Sequence, residues 1–221
     1  MKTRHTCITT VVFALATAAC AGSTPEPQTG PRASAEELAE LERLYEARAD
    51  SARMNVNEAD VRFMTGMISH HAQALVMAAM AETHGASAPM LILTGRVTNA
   101  QTDEINLMQG WLRDRGRPVP EVEIDGTELL IDGGPPMRMH GMLTDQQMRE
   151  LDEARGTEWD RLFLTYMIQH HEGAVAMVAD LFGTDGAAND DIAFKLASDI
   201  QVDQITEIRR MKLMLEELTS P

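Results

Sequence analysis

Two pairs of adjacent histidines have the residue types and spacing that point to chemistry. His70-His71 and His170-His171 stand 100 positions apart in a chain of 221 residues. Imidazole nitrogens bind transition metals, and a buried imidazole is costly unless its nitrogens have partners. Neighbouring helical residues point about 100° apart, so one pair is poorly placed to hold an ion alone. We therefore expect His70 or His71 to approach His170 or His171.

Methionine supplies the second type of donor on the same helical faces. The chain contains 16 Met but only 4% aromatic residues. Imidazole with thioether suits Cu(I), whereas imidazole with carboxylate suits iron, manganese or zinc. Copper is therefore the expected ion, with iron or zinc as alternatives, although any one of these methionines is more often core than ligand. The methionines that flank the paired histidines are Met67, Met77, Met167 and Met177.

Carboxylates at four positions are expected to support the histidines. A carboxylate that accepts the second ring N–H of a metal-binding histidine fixes its tautomer and its orientation. The expected carboxylates are Asp60, Asp160, Glu104 and Glu207.

A separate group of soft donors lies between the two histidine pairs, in the run PPMRMHGMLT at 135–144. Next to Gly and Pro, these donors could form a flexible thioether-rich site for Cu(I) or Ag(I). Alternatively, the segment is a loop that packs its methionines on the end of the fold. The residues concerned are Met137, Met139, His140 and Met142.

An internal repeat indicates which elements position these residues. The segment FMTGMISHHAQALVMAA (63–79) matches FLTYMIQHHEGAVAMVA (163–179) at an offset of 100. A second match, at an offset of 103, aligns Gln101 and Glu104 with Gln204 and Glu207. The repeat is a helix hairpin used twice, which predicts an all-α four-helix bundle with pseudo-twofold symmetry. No β-type alternation of useful length is evident.

Helix-capping signals set the predicted boundaries. Ser34 with Glu37, and Thr144 with Gln147, form capping boxes, and Asn57 is a third N-cap. The predicted parts are an N-terminal helix at 35–56, a first hairpin at 57–116, a crossover loop with a short helix at 117–156, and a second hairpin at 157–218.

The amino terminus predicts export. Residues 1–19 are typical of a signal peptide, with basic residues before an apolar stretch too short to span a bilayer. Cys20 is the candidate lipidation site, and residues 20–34 form a flexible tether. Ordinary cleavage after Ala18 is the alternative. The protein is thus expected in the periplasm or cell envelope, attached to a membrane only through a lipid.

Charge and cysteine content narrow the partners. The 19 basic and 34 acidic residues give a formal net charge of −15, which opposes binding to nucleic acid and attracts cations. Both cysteines, Cys7 and Cys20, belong to the signal region. A metal site in the folded body must therefore use His, Met, Asp or Glu.

The paired-histidine segments resemble those of the domain of unknown function 305 family, a group of small secreted bacterial proteins. The resemblance covers roughly residues 57–217. It implies a ferritin-like bundle of two hairpins, and some relatives are associated with copper handling in the cell envelope. The motifs that carry it are Met67-Ile68-x-His70-His71 with Met77, Met167-Ile168-x-His170-His171-Glu172-Gly173-Ala174 with Met177, and Gly141-Met142-Leu143-Thr144.

These observations favour an exported protein that binds Cu(I) through His and Met and buffers it or transfers it to an envelope partner. One alternative is a ferritin-like metal oxidoreductase with His and carboxylate ligands. The sequence opposes di-iron chemistry, because no Glu is followed by a His three residues later. Another is a structural or interaction bundle ordered by buried histidines. We identify no catalytic residues, since no nucleophile–base arrangement is present.

Overall fold

A computed structural model describes residues 33–54 and 56–219. The predicted signal peptide, Cys20 and the tether up to residue 32 lie outside this part. The helices are α1 (Ala35–Met54), α2 (Glu58–Ala79), α3 (Ala88–Asp114), α4 (Asp145–Glu153), α5 (Gly156–Phe182) and α6 (Asp191–Thr219). The strands are β1 (Val122–Asp125) and β2 (Glu128–Ile131). Within the described residues, no helix is both long and apolar enough to cross a membrane.

The predicted all-α four-helix bundle is confirmed. Helices α2 and α3 form one hairpin, α5 and α6 form the other, and α2 packs against α5. The start of α2 shares a hydrophobic cluster with the end of α5, so these two helices run antiparallel through the bundle. The fold thereby places the centres of the two repeated segments side by side.

The predicted N-caps close the helices as expected. Asn57 accepts the backbone N–H of Ala59 at 2.8 Å. Thr144 accepts the N–H of Gln147, whose side chain accepts the N–H of Thr144 in return. Such caps satisfy backbone donors that have no partner within the helix. They fix where α2 and α4 begin. For α2, this also fixes the direction in which the histidine face points.

The apolar core is divided into two clusters by a polar layer. One cluster joins the start of α2 and of α6 to the end of α3 and of α5. The other joins the opposite ends of the same four helices, together with α4. Between them lie the histidine pairs, with Gln101, Glu104, Gln204 and Glu207 from α3 and α6. The bundle therefore buries its chemistry at mid-length, away from its ends.

The crossover corrects the expectation that the chain lacks β-structure. Strands β1 and β2 form an antiparallel hairpin that pairs Val122 with Ile131 and Asp125 with Glu128. The turn between them contains Gly126 at φ 59°, a left-handed conformation that glycine adopts without strain. Asp-Gly between two short apolar runs is a recognised hairpin signal. Strands of four residues, however, are too short for their alternation to stand out.

The crossover also buries the face of α2 that lies away from the histidines. Sixteen of the 22 residues of α2 are buried, against 13 of 27 in α5. Gln73 binds the crossover through both atoms of its amide, accepting the N–H of Leu143 at 2.7 Å and donating to its carbonyl at 3.1 Å. Helix α2 is therefore the central helix of the molecule, covered on both sides.

Candidate metal centre

The four paired histidines form the middle of the polar layer and are fully buried. His70 and His71 come from α2, His170 and His171 come from α5, and each has an exposed fraction of 0%. The middle turns of both helices lie between the two apolar clusters. Water is therefore excluded from the imidazoles, and their nitrogens depend on partners within the protein.

One histidine from each repeat meets its counterpart at the centre. The ring centroids of His70 and His170 are 3.8 Å apart, with an angle of 39° between the ring planes. Within each pair the centroids are farther apart, at 6.2 Å for His70–His71 and 6.3 Å for His170–His171. The expected approach across the pseudo-twofold axis is thus confirmed, and it involves the first histidine of each pair.

His170 is the most unusual member of this layer. Among the residues that the structure describes, neither its Nδ1 nor its Nε2 has a hydrogen-bond partner. His70 differs, because its Nε2 lies 2.9 Å from the backbone carbonyl oxygen of His140 and its Nδ1 alone is unpartnered. Buried polar atoms are nearly always hydrogen-bonded, so an unpartnered one indicates a functional demand or a bound species.

The outer histidines are held by the carboxylates predicted for them. His71 Nε2 lies 2.7 Å from Glu104 Oε2, and His171 Nε2 lies 2.7 Å from Glu207 Oε2. Nε2–H donates to the carboxylate in each pair when the imidazole is neutral. That tautomer leaves a lone pair on Nδ1, which is buried and has no partner within the described part of the chain. A carboxylate on the opposite ring nitrogen is the arrangement that orients metal-binding histidines.

The two central imidazoles are neutral over the physiological pH range. Burial lowers the pKa of His70 to about 3, helped by the neighbouring His71 and opposed by the bond to the His140 carbonyl. Burial and repulsion by His70 and His171 hold the pKa of His170 well below its usual value, and the nearby backbone of His70 opposes this shift. Because a metal binds the neutral imidazole, these two side chains need not lose a proton first.

The predicted methionines lie above and below the histidine layer. Met67 and Met177 belong to the hydrophobic cluster on one side of it, and Met77 and Met167 belong to the cluster on the other side. Met177 is 5% exposed and the other three are fully buried. Each side of the layer therefore receives one thioether from α2 and one from α5.

Asp60 and Asp160 serve a different purpose from the one expected. Asp60 Oδ1 accepts the backbone N–H of Ala188 at 2.7 Å, ahead of α6. Asp160 accepts the N–H of Ser87 at 3.3 Å, ahead of α3. Each aspartate thus joins the start of its helix to the loop of the opposite hairpin. The structure does not bring them to the histidines, because both stand at the ends of the bundle.

The soft donors of the crossover do not share one environment. Met137 is 71% exposed, whereas Met142 is buried. The imidazole of His140 points outward, with Nε2 3.4 Å from Asp180 Oδ2. The loop is anchored on α2 and α5 through backbone groups, in agreement with the alternative in which it packs on the bundle. Binding of an ion by its soft donors stays a prediction.

A polar groove between α3 and α6 completes the layer on its solvent side. Its volume is about 320 Å³, and its lining includes Glu104, Asp203 and Glu207. Burial, Glu104 and Glu207 raise the pKa of Asp203. Gln101 and Gln204 also line it, and among the described residues both amide atoms of Gln101 and the Oε1 of Gln204 lack partners. Asp203 was not predicted from the sequence, because it has no counterpart in the first repeat, where Ala100 is at the matching position.

Carboxylate and imidazole groups alone do not assemble a metal site. Within residues 33–48 and 56–219, whose side chains are described, no group of three or more His, Cys, Asp or Glu is placed to hold a metal ion. A ligand set that combines imidazole with thioether is not limited by this finding, since methionine is not among those residue types.

A family model described as "Domain of unknown function (DUF305)" matches residues 60–215. Among solved structures, a DUF305 protein from Streptomyces coelicolor, named as a candidate secreted protein, is 28% identical with a TM-score of 0.61. The similarity covers 73% of this chain and 94% of that one. A DUF305 fragment from Deinococcus radiodurans is also 28% identical, with a TM-score of 0.60 over 73% and 98% of the two chains.

A third similar structure is that of CopM in its Cu(I)-bound form. It is 26% identical, with a TM-score of 0.54, over 73% of this chain and 98% of CopM. Structures of CopM with Ag and with Cu(II) have the same TM-score. No curated protein matches the sequence.

Proposed function

The chain belongs to the DUF305 family, and on this basis we propose that it is an exported protein that binds Cu(I) in the histidine layer of its bundle. One observation carries the proposal. His170 is fully buried, its ring lies against that of His70, and neither of its nitrogens has a partner in the described part of the chain. The ion is cargo, which the protein buffers or hands to another envelope protein.

The unpartnered nitrogens fit a bound ion better than they fit a structural network. A buried polar atom without a partner costs about 1–3 kcal/mol. The histidine layer contains five such ring nitrogens, two on His170 and one each on His70, His71 and His171. A network that served only to order the core would satisfy these atoms. A neutral imidazole has one lone pair and one N–H. An ion held by two of these histidines and neighbouring thioethers would therefore use two of the five atoms and remove their share of the cost.

The protonation states also favour a metal ligand role. His70 and His170 are neutral because their pKa values are lowered by burial. Glu104 and Glu207 orient the other two rings, leaving each Nδ1 as the atom available to an ion. In the histidine layer, therefore, the two central imidazoles are neutral, and the two outer imidazoles are oriented with Nδ1 available to a cation.

The choice of Cu(I) follows from the softness of the available donors. Imidazole and thioether favour Cu(I) over iron or zinc, and methionines from α2 and α5 adjoin the layer on both sides. A site for iron or zinc would use the carboxylates, yet Glu104 and Glu207 are already bonded to His71 and His171. CopM, a similar fold, is known in Cu(I)-, Cu(II)- and Ag-bound forms.

Export is the second part of the proposal. It rests on the signal-like residues 1–19 and on the similarity to the candidate secreted protein of Streptomyces coelicolor. Cys20 would carry the lipid anchor. The excess of acidic residues would raise the local concentration of cations and disfavours nucleic acid as a partner.

Metal titration of the purified body tests the proposal. Wild-type protein is titrated anaerobically with Cu(I), Fe(II) and Zn(II), and so are the His70→Ala and His170→Ala variants. His84→Ala is the matched control, since His84 is also buried (6% exposed) yet partnered by Thr83 at Nδ1 and by Asp152 at Nε2. We expect the two central substitutions to weaken Cu(I) binding at least about a hundredfold, and the control to leave it within threefold.

Three results would contradict the proposal. Wild-type protein that binds none of the ions more tightly than about 1 μM would support a structural histidine network instead. Tight Fe(II) binding with consumption of oxygen would favour the oxidoreductase alternative. Equal losses of Cu(I) binding in His84→Ala and His170→Ala would show that the loss reflects the fold and not the ligands.

A further inference from the structure

We propose that Met139, His140 and Met177 form a second soft-metal site, open to solvent, through which Cu(I) reaches the buried histidines. This inference rests on the proposed function. The site shares Met177 with the methionines beside the histidine layer, and Met139 is its separate reporter. It differs from the loop site expected from the sequence, because it takes two donors from the crossover and one from α5, and excludes Met137 and Met142.

A groove on the surface of the bundle brings these donors together. It has a volume of about 260 Å³ and lies among the crossover, the start of α2 and the end of α5. Met139, His140, Met177 and Asp180 line it, together with Arg62 and apolar side chains such as Phe63. Two thioethers and one imidazole therefore face the same space, which solvent reaches.

Gly66 provides the room for the two thioethers to converge. A Cβ built on Gly66 would lie 2.5 Å from Met139 Cε and 3.6 Å from Met177 Cε. Both methionine ends thus reach the same point on α2, one from the crossover and one from α5. Any residue other than glycine at position 66 would displace Met139 from this position.

The crossover is held firmly where it passes the groove. The carbonyl of His140 accepts from His70 Nε2, and the carbonyl of Gly141 accepts from Gln169 Nε2 at 3.1 Å. The backbone at Gly141 lies so close to α5 that a Cβ on Gly173 would meet His140 O at 2.0 Å. These contacts fix Met139 and His140 against the bundle, so the donors are organised before an ion arrives.

One residue, His140, links this groove to the buried centre. The residue that offers its imidazole to the groove, His140, offers its carbonyl to the central His70. Asp180 Oδ2 lies 3.4 Å from His140 Nε2 and can accept a hydrogen bond from Nε2–H. In that tautomer Nδ1 is the ligand atom. Two thioethers and an imidazole bind Cu(I) and Ag(I) in preference to harder ions.

The second half of the molecule lacks this arrangement. At the offset of 100 between the repeats, Gly66 on α2 is matched by Tyr166 on α5. Asp180 at the end of α5 is matched by Met80 in the first repeat. Tyr166 instead packs toward α4 and donates to Glu150. The groove is therefore a product of the crossover and not of the duplicated hairpin, as expected for an entrance that serves one shared centre.

Methyl NMR with Ag(I) tests the site directly. Protein labelled with ¹³C at the methionine methyl groups is titrated with Ag(I), a diamagnetic probe for soft-ion binding. We expect the Met139 and Met177 signals to shift together in the earliest steps, and the exposed Met137 signal to stay in place. If the protein takes up Ag(I) while the Met139 and Met177 signals do not move, the site is refuted.

Two substitutions and a matched control sharpen the result. Met139→Leu removes a thioether, and Gly66→Ala displaces Met139 without altering any donor. Met137→Leu makes the same chemical change on an exposed side chain of the same loop. We expect each of the first two to slow Ag(I) uptake by the buried histidines at least about tenfold and the control to leave it unchanged. Equal uptake rates in all three variants, with melting temperatures like wild type, would overturn the proposal.

A last variant separates the two sites. In His170→Ala, we expect the buried centre to lose Ag(I) while the Met139 and Met177 signals still respond. Such a response keeps the groove site even if the assignment of the buried centre is wrong. If the response disappears in His170→Ala, with the fold intact by circular dichroism, the groove is not a separate site and the inference fails.

Discussion

The two helix hairpins carry the same histidine chemistry but are treated differently by the rest of the chain. His71–Glu104 in the first hairpin and His171–Glu207 in the second have the same distance of 2.7 Å. At the centre the match ends, because His70 has a backbone partner in the crossover, whereas the structure gives His170 none among the described residues.

The difference shows that duplication and crossover contribute separate properties. Duplication supplies two equivalent sets of ligands, which meet at the pseudo-twofold axis. To the central histidines the crossover adds one hydrogen bond, between His70 Nε2 and the carbonyl oxygen of His140. It therefore orients His70, whereas both ring nitrogens of His170 are buried without a partner among the described residues.

The largest effect is expected where the crossover touches α5. Gln73 in the first hairpin corresponds to Gly173 in the second, and an added Cβ at Gly173 would meet backbone atoms of His140 and Gly141. We expect Gly173→Ala to lower the free energy of unfolding by about 3 kcal/mol or more. Urea denaturation of the metal-free protein measures it.

Gly95→Ala on α3 is the control for that substitution. No atom lies within 4 Å of its added Cβ among the described residues, so we expect a gain of about 0.5–1 kcal/mol. A Gly173→Ala protein as stable as Gly95→Ala would show that the crossover does not press against α5 as the structure has it.

The pH dependence of stability probes the central pair. The folded-state pKa of His70 is lowered to about 3, below the value of about 6.5 for an unfolded chain. Between these values the unfolded chain binds a proton that the folded protein excludes. The stability of the metal-free protein is therefore complete above about pH 6.5 and falls as the pH drops toward 3.

For His70 the expected loss is about 1.7 kcal/mol between pH 6.5 and 5. Burial depresses the pKa of His170 as well, so His170→Leu should remove part of the slope. Urea denaturation at a series of pH values measures it. A slope that is the same in wild type and in His170→Leu would mean that His170 is not kept neutral by its burial.

The smallest effect compares the two carboxylates. Glu104→Ala and Glu207→Ala each remove the group that orients an outer histidine, and we expect each to weaken Cu(I) binding about 10- to 100-fold. The Glu104 side chain is 11% exposed and that of Glu207 is 21% exposed, so the first loss should be the larger. Competition with a Cu(I) chelator gives both affinities. Unchanged Cu(I) affinity in both variants would show that the carboxylates do not support Cu(I) binding.

Local sequence patterns predicted the bundle well because its information is local. The repeat around His70 and His170 specifies two matching helices, and the caps at Asn57 and Thr144 mark where α2 and α4 begin. Glu104 and Glu207 were identifiable for the same reason, since the repeat places them opposite the histidines.

The remaining features depend on contacts between distant parts of the chain. The aspartates Asp60 and Asp160 share the helical face of the histidines, but they bond to loops of the opposite hairpin. The β-hairpin at Gly126 and the anchoring of His140 on α2 follow from the path of the crossover. Helical periodicity carries no information about that path.

Long-range ¹H–¹⁵N correlation spectra of the histidine rings test the central claim most directly. The spectra are recorded on metal-free protein and after addition of one equivalent of Ag(I), which stands in for Cu(I). We expect the ¹⁵N chemical shifts of the unprotonated ring nitrogens of His70 and His170 to change when Ag(I) binds, and those of His84 to stay the same. If the protein binds Ag(I) and the His170 nitrogens keep their metal-free shifts, the buried histidine pair is not the metal centre.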